Sequence, residues 1–206
     1  MSTISGKEIR KNTELNKTLL VFNVEYTGGI KNKEAPVTDL DNWPRIIALS
    51  FFYYDGIGRP LTCGNFIIQP LNFEISDNTI GNPSINQEIA LHHGIELKKA
   101  IQIFHELLIK SYYVVSHNLS INEKIIGAEL LRAGMGYSLY GKKPICLMES
   151  MIDFCELEEN GTLRKPTLSE LHYSLFNHYA TYNNSPIDYA QALARCFWEI
   201  KKRDMI

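Results

Sequence analysis

The sequence lacks the cysteine spacing and the long apolar runs that mark several large classes of protein. Its four cysteines, Cys63, Cys146, Cys155 and Cys196, include no C-x-x-C pair and lie among apolar residues, which favours reduced core thiols over a disulfide framework or a zinc cage. No apolar run approaches the roughly 18 residues that span a bilayer, and residues 1–17 have no apolar stretch typical of a signal peptide. We therefore expect a cytoplasmic protein without membrane contact.

A strong net charge is also missing. The 206 residues carry a formal net charge of -2, so no global positive field favours a polyanionic partner. What the chain does have is 45% hydrophobic and 11% aromatic residues, enough to close one sizeable core. We predict a polar, flexible head over residues 1–17 and a single domain over residues 18–203.

The pattern of apolar and turn residues predicts three strands first and alternating helices and strands afterwards. Residues 17–25, 45–54 and 62–69 read as a meander of strands, with a turn at residues 55–58. A helix over 97–109, a buried strand over 112–116 and a helix over 122–133 follow. Further helices are predicted up to Phe176, with Thr167 and Glu170 as a capping box, and over 188–201. A further short apolar run covers residues 144–148, and this order predicts an α/β fold with a central mixed sheet of about five strands flanked by helices.

The first strand ends in two polar residues. In the stretch LLVFNVEYTGG, from Leu19 to Gly29, Asn23 and Glu25 interrupt an apolar run and are two positions apart. Alternation along a strand directs their side chains to the same face of the sheet. In open α/β sheets, ligands bind off the ends of the central strands, so this pair is predicted to lie at a binding site.

Three segments taken together resemble the DEDDh family of 3'-5' exonucleases. Where that family has Asp-x-Glu-Thr-Thr-Gly, this chain has Asn23 to Gly28, with Glu25 in the place of the glutamate. In the segment VVSHNLSINEKIIGAELLRAG, His117 and Asn118 match the family, and Asn122 stands where an acid belongs. The resemblance implies an RNase H-like fold for most of the chain.

The third motif of the family is a histidine, four further residues and an aspartate before a helix. Aligning on the tail YAQALARCFWEI places Tyr189 at the metal-binding aspartate and Asn184 at the general-base histidine. A register shifted by one residue offers Asp188 as the acid and Asn183 as the base instead. Neither register supplies a histidine.

The resemblance implies a site that has lost most of its charge. Family members hydrolyse phosphodiesters with two divalent metal ions held by four carboxylates. Here the four positions read Asn23, Glu25, Asn122 and Tyr189, so only Glu25 is anionic. Magnesium prefers anionic oxygen ligands. We therefore expect no metal cofactor, with Mg²⁺ or Mn²⁺ needed only if activity is retained and Glu25 as the one candidate ligand.

Three functions are compatible with these residues. The first is a pseudo-exonuclease that has lost hydrolysis and binds a single-stranded DNA or RNA end, or a protein partner. The second is an active exonuclease with a rebuilt site, formed by Glu25, Asp188 and Glu123. The third is a protein-interaction subunit without nucleic-acid contact. For nucleic-acid binding, the resemblance and the aromatic content imply the following residues: Tyr26, Thr27, His117 and Asn118.

Two histidine assignments stay open at the level of sequence. His117 either contacts the nucleic acid or fixes the turn after its strand, since a lone histidine is often satisfied locally. His172 and His178 are six residues apart and interleaved with aromatic residues, which suits a metal pair poorly because a third ligand is not evident. We interpret His172 and His178 as core or surface residues.

Overall fold

The computed structural model of the protein describes residues 17–75, 84–182 and 185–206. The predicted head therefore lies almost wholly outside the described residues. Within them, no helix is both long and apolar enough to cross a membrane. The strands are β1 (Leu19–Tyr26), β2 (Ile46–Tyr54), β3 (Pro60–Ile67), β4 (Tyr113–Ser116), β5 (Lys143–Cys146), β6 (Glu158–Glu159) and β7 (Thr162–Leu163). The α-helices are α1 (Gln87–His93), α2 (Leu97–Lys110), α3 (Leu119–Arg132), α4 (Leu147–Ser150), α5 (Ile152–Cys155), α6 (Leu168–Phe176) and α7 (Pro186–Lys202).

The central sheet has five strands in the order β3-β2-β1-β4-β5. Strands β1, β2 and β3 form an antiparallel meander, while β4 and β5 run parallel to β1. The predicted fold class, a mixed sheet of about five strands flanked by helices, is confirmed. Since β1 and β4 are parallel, their carboxyl ends lie at the same edge of the sheet, which is where Asn23, Glu25 and His117 come together.

The side chains of β1 alternate between two apolar cores. Leu20, Phe22 and Val24 pack in the core on the side of α2 and α3. Leu19 and Val21 pack in the core on the other side, with α6 and α7. Because the period of a strand is two residues, Asn23 and Glu25 continue the row that faces α7.

Predicted boundaries are wrong by two or three residues in four elements. Strand β1 begins at Leu19 rather than at residue 17. Strand β3 begins and ends two residues earlier than predicted, and Ile68, directly after it, forms an isolated bridge to Ile95. Helix α3 begins at Leu119 rather than at residue 122, so Asn122 lies inside its first turn. Helix α7 begins at Pro186, two residues before the prediction, and proline is well suited to a first helical position.

The predicted capping box at the start of α6 is confirmed. The Thr167 hydroxyl accepts a hydrogen bond from the backbone N–H of Glu170, and the Glu170 carboxylate accepts one from the backbone N–H of Thr167. Arg164 forms a salt bridge to the same carboxylate. These contacts lower the pKa of Glu170 to about 2, with the Arg164 hydrogen bond as the largest cause. The cap thereby fixes the peptide around Pro166 beside β4.

Candidate functional site

The positions of the first two motifs meet in one buried hydrogen-bond network. The side-chain amide nitrogen of Asn122 donates to the Asn23 side-chain oxygen at 3.3 Å and to the Ser116 hydroxyl at 2.8 Å. All three residues are buried, Asn23 at the end of β1, Ser116 at the end of β4 and Asn122 in the first turn of α3. The two asparagines are thus partners of each other. Their mutual contact satisfies polar groups that would otherwise be costly to bury.

Tyr189 of α7 lies beside Glu25. Burial raises the pKa of the Tyr189 phenol well above its ordinary value, and the nearby Tyr182 and Glu25 raise it further. The phenol therefore stays protonated and neutral throughout the physiological range. The rings of Tyr182 and Tyr189 lie 5.4 Å apart with an interplanar angle of 32°. Two half-buried aromatic rings thus lie together at the site, and Tyr189 is the one beside Glu25.

Helix α7 is fixed to the sheet directly below this tyrosine. The buried Ser50 hydroxyl, on β2 opposite Asn23, donates to the carbonyl oxygen of Pro186 at 2.9 Å. The first turn of α7 is therefore tied to the neighbour of the strand that carries Asn23 and Glu25. This contact positions Tyr189 over the end of β1.

His117 is held in a neutral form by its surroundings. Its Nε2 lies 3.0 Å from the Pro166 carbonyl oxygen, and a carbonyl only accepts, so Nε2 carries the proton. Nδ1 is buried without a hydrogen-bond partner. Burial lowers the pKa of His117 to about 4, while the Pro166 bond opposes that shift. This geometry favours the turn-fixing interpretation, because a neutral imidazole offers no charge to a phosphate.

His117, Tyr182 and Tyr189 line a cleft of about 350 Å³ between β4, α6 and α7. Its wall includes His117, Asn118, Pro166, Thr167, Tyr182 and Tyr189. The Lys165 side chain also borders it and forms an ion pair with Glu149 at 2.8 Å. The cleft combines an aromatic wall with backbone and amide groups, which is the composition of a small-molecule or nucleotide site.

The residues present do not fit a pair of divalent metal ions. The Asn122 amide directs a donor N–H at Asn23, and an amide nitrogen is not a ligand for magnesium. In the register aligned on Tyr189, its neutral phenol stands at the fourth position, which leaves Glu25 as the one carboxylate of the four. Across the described ranges, no three His, Cys, Asp or Glu side chains converge in a way that could hold a metal ion.

The other predicted residues are distributed around the site. Thr27 donates its backbone N–H to the Arg45 carbonyl, and Tyr26 packs on the α2 and α3 side of the sheet, where burial raises the pKa of its phenol. Glu123 and Asp188 line two cavities other than the cleft. Asn183 and Asn184, the candidates for the base position, lie outside the described residues. Their roles stay predictions.

Sequence reasoning missed Ser116, Tyr182 and the Pro166 carbonyl. Ser116 reads as an ordinary strand residue, and a backbone carbonyl has no signal in a sequence. Tyr182 could have been suspected, because it is four residues before the start of α7 and seven residues before Tyr189. Its contact with Tyr189 depends on tertiary packing, which residue types alone do not specify.

The state of His117 predicts a specific loss of stability in acid. Its pKa is about 4 in the folded protein and about 6.5 in the unfolded chain, so the unfolded chain binds more protons between these values. The stability that depends on a neutral His117 is fully present above pH 6.5, and it is lost as the pH falls toward 4. We expect the free energy of unfolding to drop by about 3 kcal/mol between pH 7.5 and 4 from this residue. Urea denaturation across this range measures it.

The control for this prediction is His117→Gln, which keeps an N–H donor and does not titrate. Groups other than His117 contribute equally to both pH curves. As the pH falls from 7.5 to 4, the free energy of unfolding of the wild type should therefore decrease by about 3 kcal/mol more than that of the variant. Parallel curves would contradict the assignment of a depressed pKa to His117.

Solved structures with the same fold are 3'-5' exonucleases and related nucleases. Cell-death related nuclease 4 (CRN-4) matches with a TM-score of 0.65 and 14% identity over 92% of this chain and 65% of its own. E. coli exonuclease I in complex with a dT13 oligonucleotide matches with a TM-score of 0.71 and 13% identity over 91% of this chain and 42% of its own. The nuclease domain of 3'hExo, a DEDDh family member bound to rAMP, matches with a TM-score of 0.65 and 14% identity over 91% of this chain and 93% of its own.

These likenesses confirm the exonuclease fold that the motif resemblance implies. No protein-family model matches the sequence, and no curated protein matches it either. The chain spans about two thirds of CRN-4 and less than half of exonuclease I. At these identities, what is shared is the fold.

Proposed function

We propose that this protein is a nuclease-fold module that binds the end of a single-stranded nucleic acid without metal ions and without hydrolysing it. The observation that carries this proposal is the hydrogen bond between Asn122 and Asn23. At the positions where the resembling family holds metal with carboxylates, two neutral side chains satisfy each other. Binding at such a site needs no cation to offset charge.

The loss of carboxylates also changes how the site interacts with phosphate. Four carboxylates repel a phosphodiester unless metal ions lie between them, whereas the four corresponding positions here retain Glu25 as the one carboxylate. The repulsion that remains is that of one charge. A nucleotide can therefore approach the end of β1 without an intervening cation.

The aromatic wall supplies attraction that does not depend on metal. Tyr182 and Tyr189 present half-buried rings at the cleft, and a base stacked on an aromatic ring contributes about 1–3 kcal/mol irrespective of its identity. Single-stranded ends are the matching ligand because their bases are unpaired. Similar solved structures hold a dT13 oligonucleotide and rAMP, which supports the same class of ligand for this chain.

Hydrolysis is proposed to be absent for a second, independent reason. Both registers of the third motif place an asparagine, Asn184 or Asn183, at the position of the general base. General-base assistance is worth about 100- to 10,000-fold in rate. The site therefore lacks the carboxylates that would hold metal ions. It also lacks the histidine that would accept the proton of water.

Binding of a labelled thymidine oligonucleotide, followed by fluorescence anisotropy, tests the proposal. We expect the same dissociation constant in EDTA and in magnesium. Glu25→Gln should leave binding equal or tighter, since it removes the remaining negative charge. Tyr189→Ala should weaken binding by about 5- to 150-fold, and Tyr189→Phe, which keeps the ring, should not. Binding that disappears in EDTA would contradict the proposal.

A further inference from the structure

Two exposed tyrosines stack on each other at the end of α6. Tyr173 is 46% exposed and Tyr179 is 62% exposed. Their ring centroids lie 4.7 Å apart with an interplanar angle of 27°. We call this pair the tyrosine platform. In it each ring covers one face of the other, and the exposed remainder is available to a further planar group.

The backbone after α6 holds the platform in place. Asn177 ends the helix in a left-handed conformation (φ 58°), and its N–H donates to the Tyr173 carbonyl oxygen at 2.8 Å. The buried His172 then contacts the carbonyl oxygen of His178 through Nδ1 at 2.8 Å. Because both ends of this turn are hydrogen-bonded to α6, Tyr179 is directed back onto Tyr173.

A cation lies beside the platform. The Arg195 guanidinium lies over the Phe176 ring, with its central carbon 4.3 Å from the ring centroid. Arg195 is exposed and shares a cavity of about 360 Å³ with Tyr179, His178 and Asp188. Contact with a ring does not use the N–H donors of a guanidinium, which can therefore contact a phosphate.

The platform and the cleft lie close together. Tyr179 is three residues before Tyr182, and three residues of chain span at most about 11 Å. Asp188 lines the cavity at the platform, while the adjacent Tyr189 lines the cleft. A short polymer with one end in the cleft therefore has the platform within reach.

From this arrangement we infer that the tyrosine platform and Arg195 form a second contact for the same single-stranded nucleic acid, one or more nucleotides away from the end held in the cleft. The inference rests on the proposed function. A base stacks on the platform and a backbone phosphate pairs with Arg195. Between residues 168 and 182, the exposed large hydrophobic side chains are these two tyrosines and include no aliphatic residue, which favours a base over a protein surface.

The test compares ligands of two lengths by calorimetry, thymidine monophosphate and an oligonucleotide of about twelve thymidines. Tyr179→Ala should weaken binding of the oligonucleotide by about 5- to 150-fold and leave the monophosphate unchanged. Tyr179→Phe should behave as wild type, because the ring is kept. Tyr140→Ala removes another tyrosine, 97% exposed, and serves as the matched control without effect.

Arg195 has a separate readout. In Arg195→Gln, the slope of log affinity against log salt for the oligonucleotide should decrease by about 0.7, as expected for one lost phosphate contact on a single strand. An unchanged slope would overturn the assignment of Arg195 to the backbone.

The outcomes separate this inference from the proposed function. If the oligonucleotide binds wild type and Tyr179→Ala equally, the platform is not part of the nucleic-acid site and its exposed rings fit a protein partner instead. If Tyr179→Ala weakens the binding of the monophosphate and of the oligonucleotide equally, Tyr179 acts through the cleft. A second contact at the platform is then excluded. If neither ligand binds wild type, the proposed function fails and the inference fails with it.

Discussion

Replacing both Asn23 and Asn122 with aspartate is expected to lower the free energy of unfolding by about 4 kcal/mol when divalent cations are absent. The two side chains are hydrogen-bonded at 3.3 Å and buried, so two carboxylates would face each other at that distance, beside Glu25. At about 4 Å and an effective dielectric constant near 20, two like charges repel by about 4 kcal/mol. Urea denaturation at pH 8 in EDTA, where both carboxylates are ionised, measures the loss.

Divalent cations should reverse this loss in the variant and leave the wild type unchanged. Restored carboxylates supply the anionic oxygen ligands that magnesium and manganese prefer. A ligand that binds the folded state alone stabilises it, so millimolar manganese should raise the variant's stability toward that of wild type. Asn65→Asp, the same chemical change at an exposed position of β3, is the control and should show neither effect. A double variant as stable as wild type in EDTA would contradict the contact between Asn23 and Asn122.

Adding a histidine to a site with restored carboxylates is expected to raise hydrolysis by about 100- to 10,000-fold. The background for this experiment carries Asn23→Asp, Asn122→Asp and Tyr189→Asp, which returns all three lost acids of the resembling family. We expect cleavage of a labelled oligonucleotide in this background to stay slow, because a general base is still missing. The rate should rise when the base is supplied.

The position of that histidine also decides between the two registers of the third motif. Asn184→His is the variant expected from alignment on Tyr189, and Asn183→His is its one-residue alternative. The cleavage rate of each variant is measured in the background with restored carboxylates and in the wild-type background. In the wild-type background the histidine should not raise the rate, because the carboxylates are missing. Equal slow rates for every variant would mean that something other than the base and the acids limits hydrolysis.

The fold was predictable because two kinds of sequence signal agree. The apolar runs and turns predict the meander and the helices, and the motif order predicts how β4 joins β1 in parallel. Boundaries were predicted wrongly where the chain offers no local signal. Helix α3 begins at Leu119 without a side-chain cap from Asn118, so residue type alone did not reveal its first turn.

The site was predictable as a set of positions but not as a set of contacts. Asn23 and Asn122 are separated by 99 residues, and their alignment to a family predicts proximity without predicting a hydrogen bond. The hydrogen bond to Ser116 and the contact between the Tyr182 and Tyr189 rings depend on tertiary packing. The protonation of His117 likewise follows from burial against Pro166, 49 residues away, and from nothing adjacent in sequence.

The most direct test of the central claim follows binding and cleavage in one sample. A single-stranded oligonucleotide labelled at its 5' end is mixed with purified protein in EDTA, in magnesium and in manganese, and the bound fraction and the length of the oligonucleotide are both recorded. We expect the same bound fraction in all three buffers and an intact oligonucleotide in each. Shortening in magnesium or manganese that Glu25→Ala abolishes would contradict the account, because the remaining carboxylate would then be serving a working metal site.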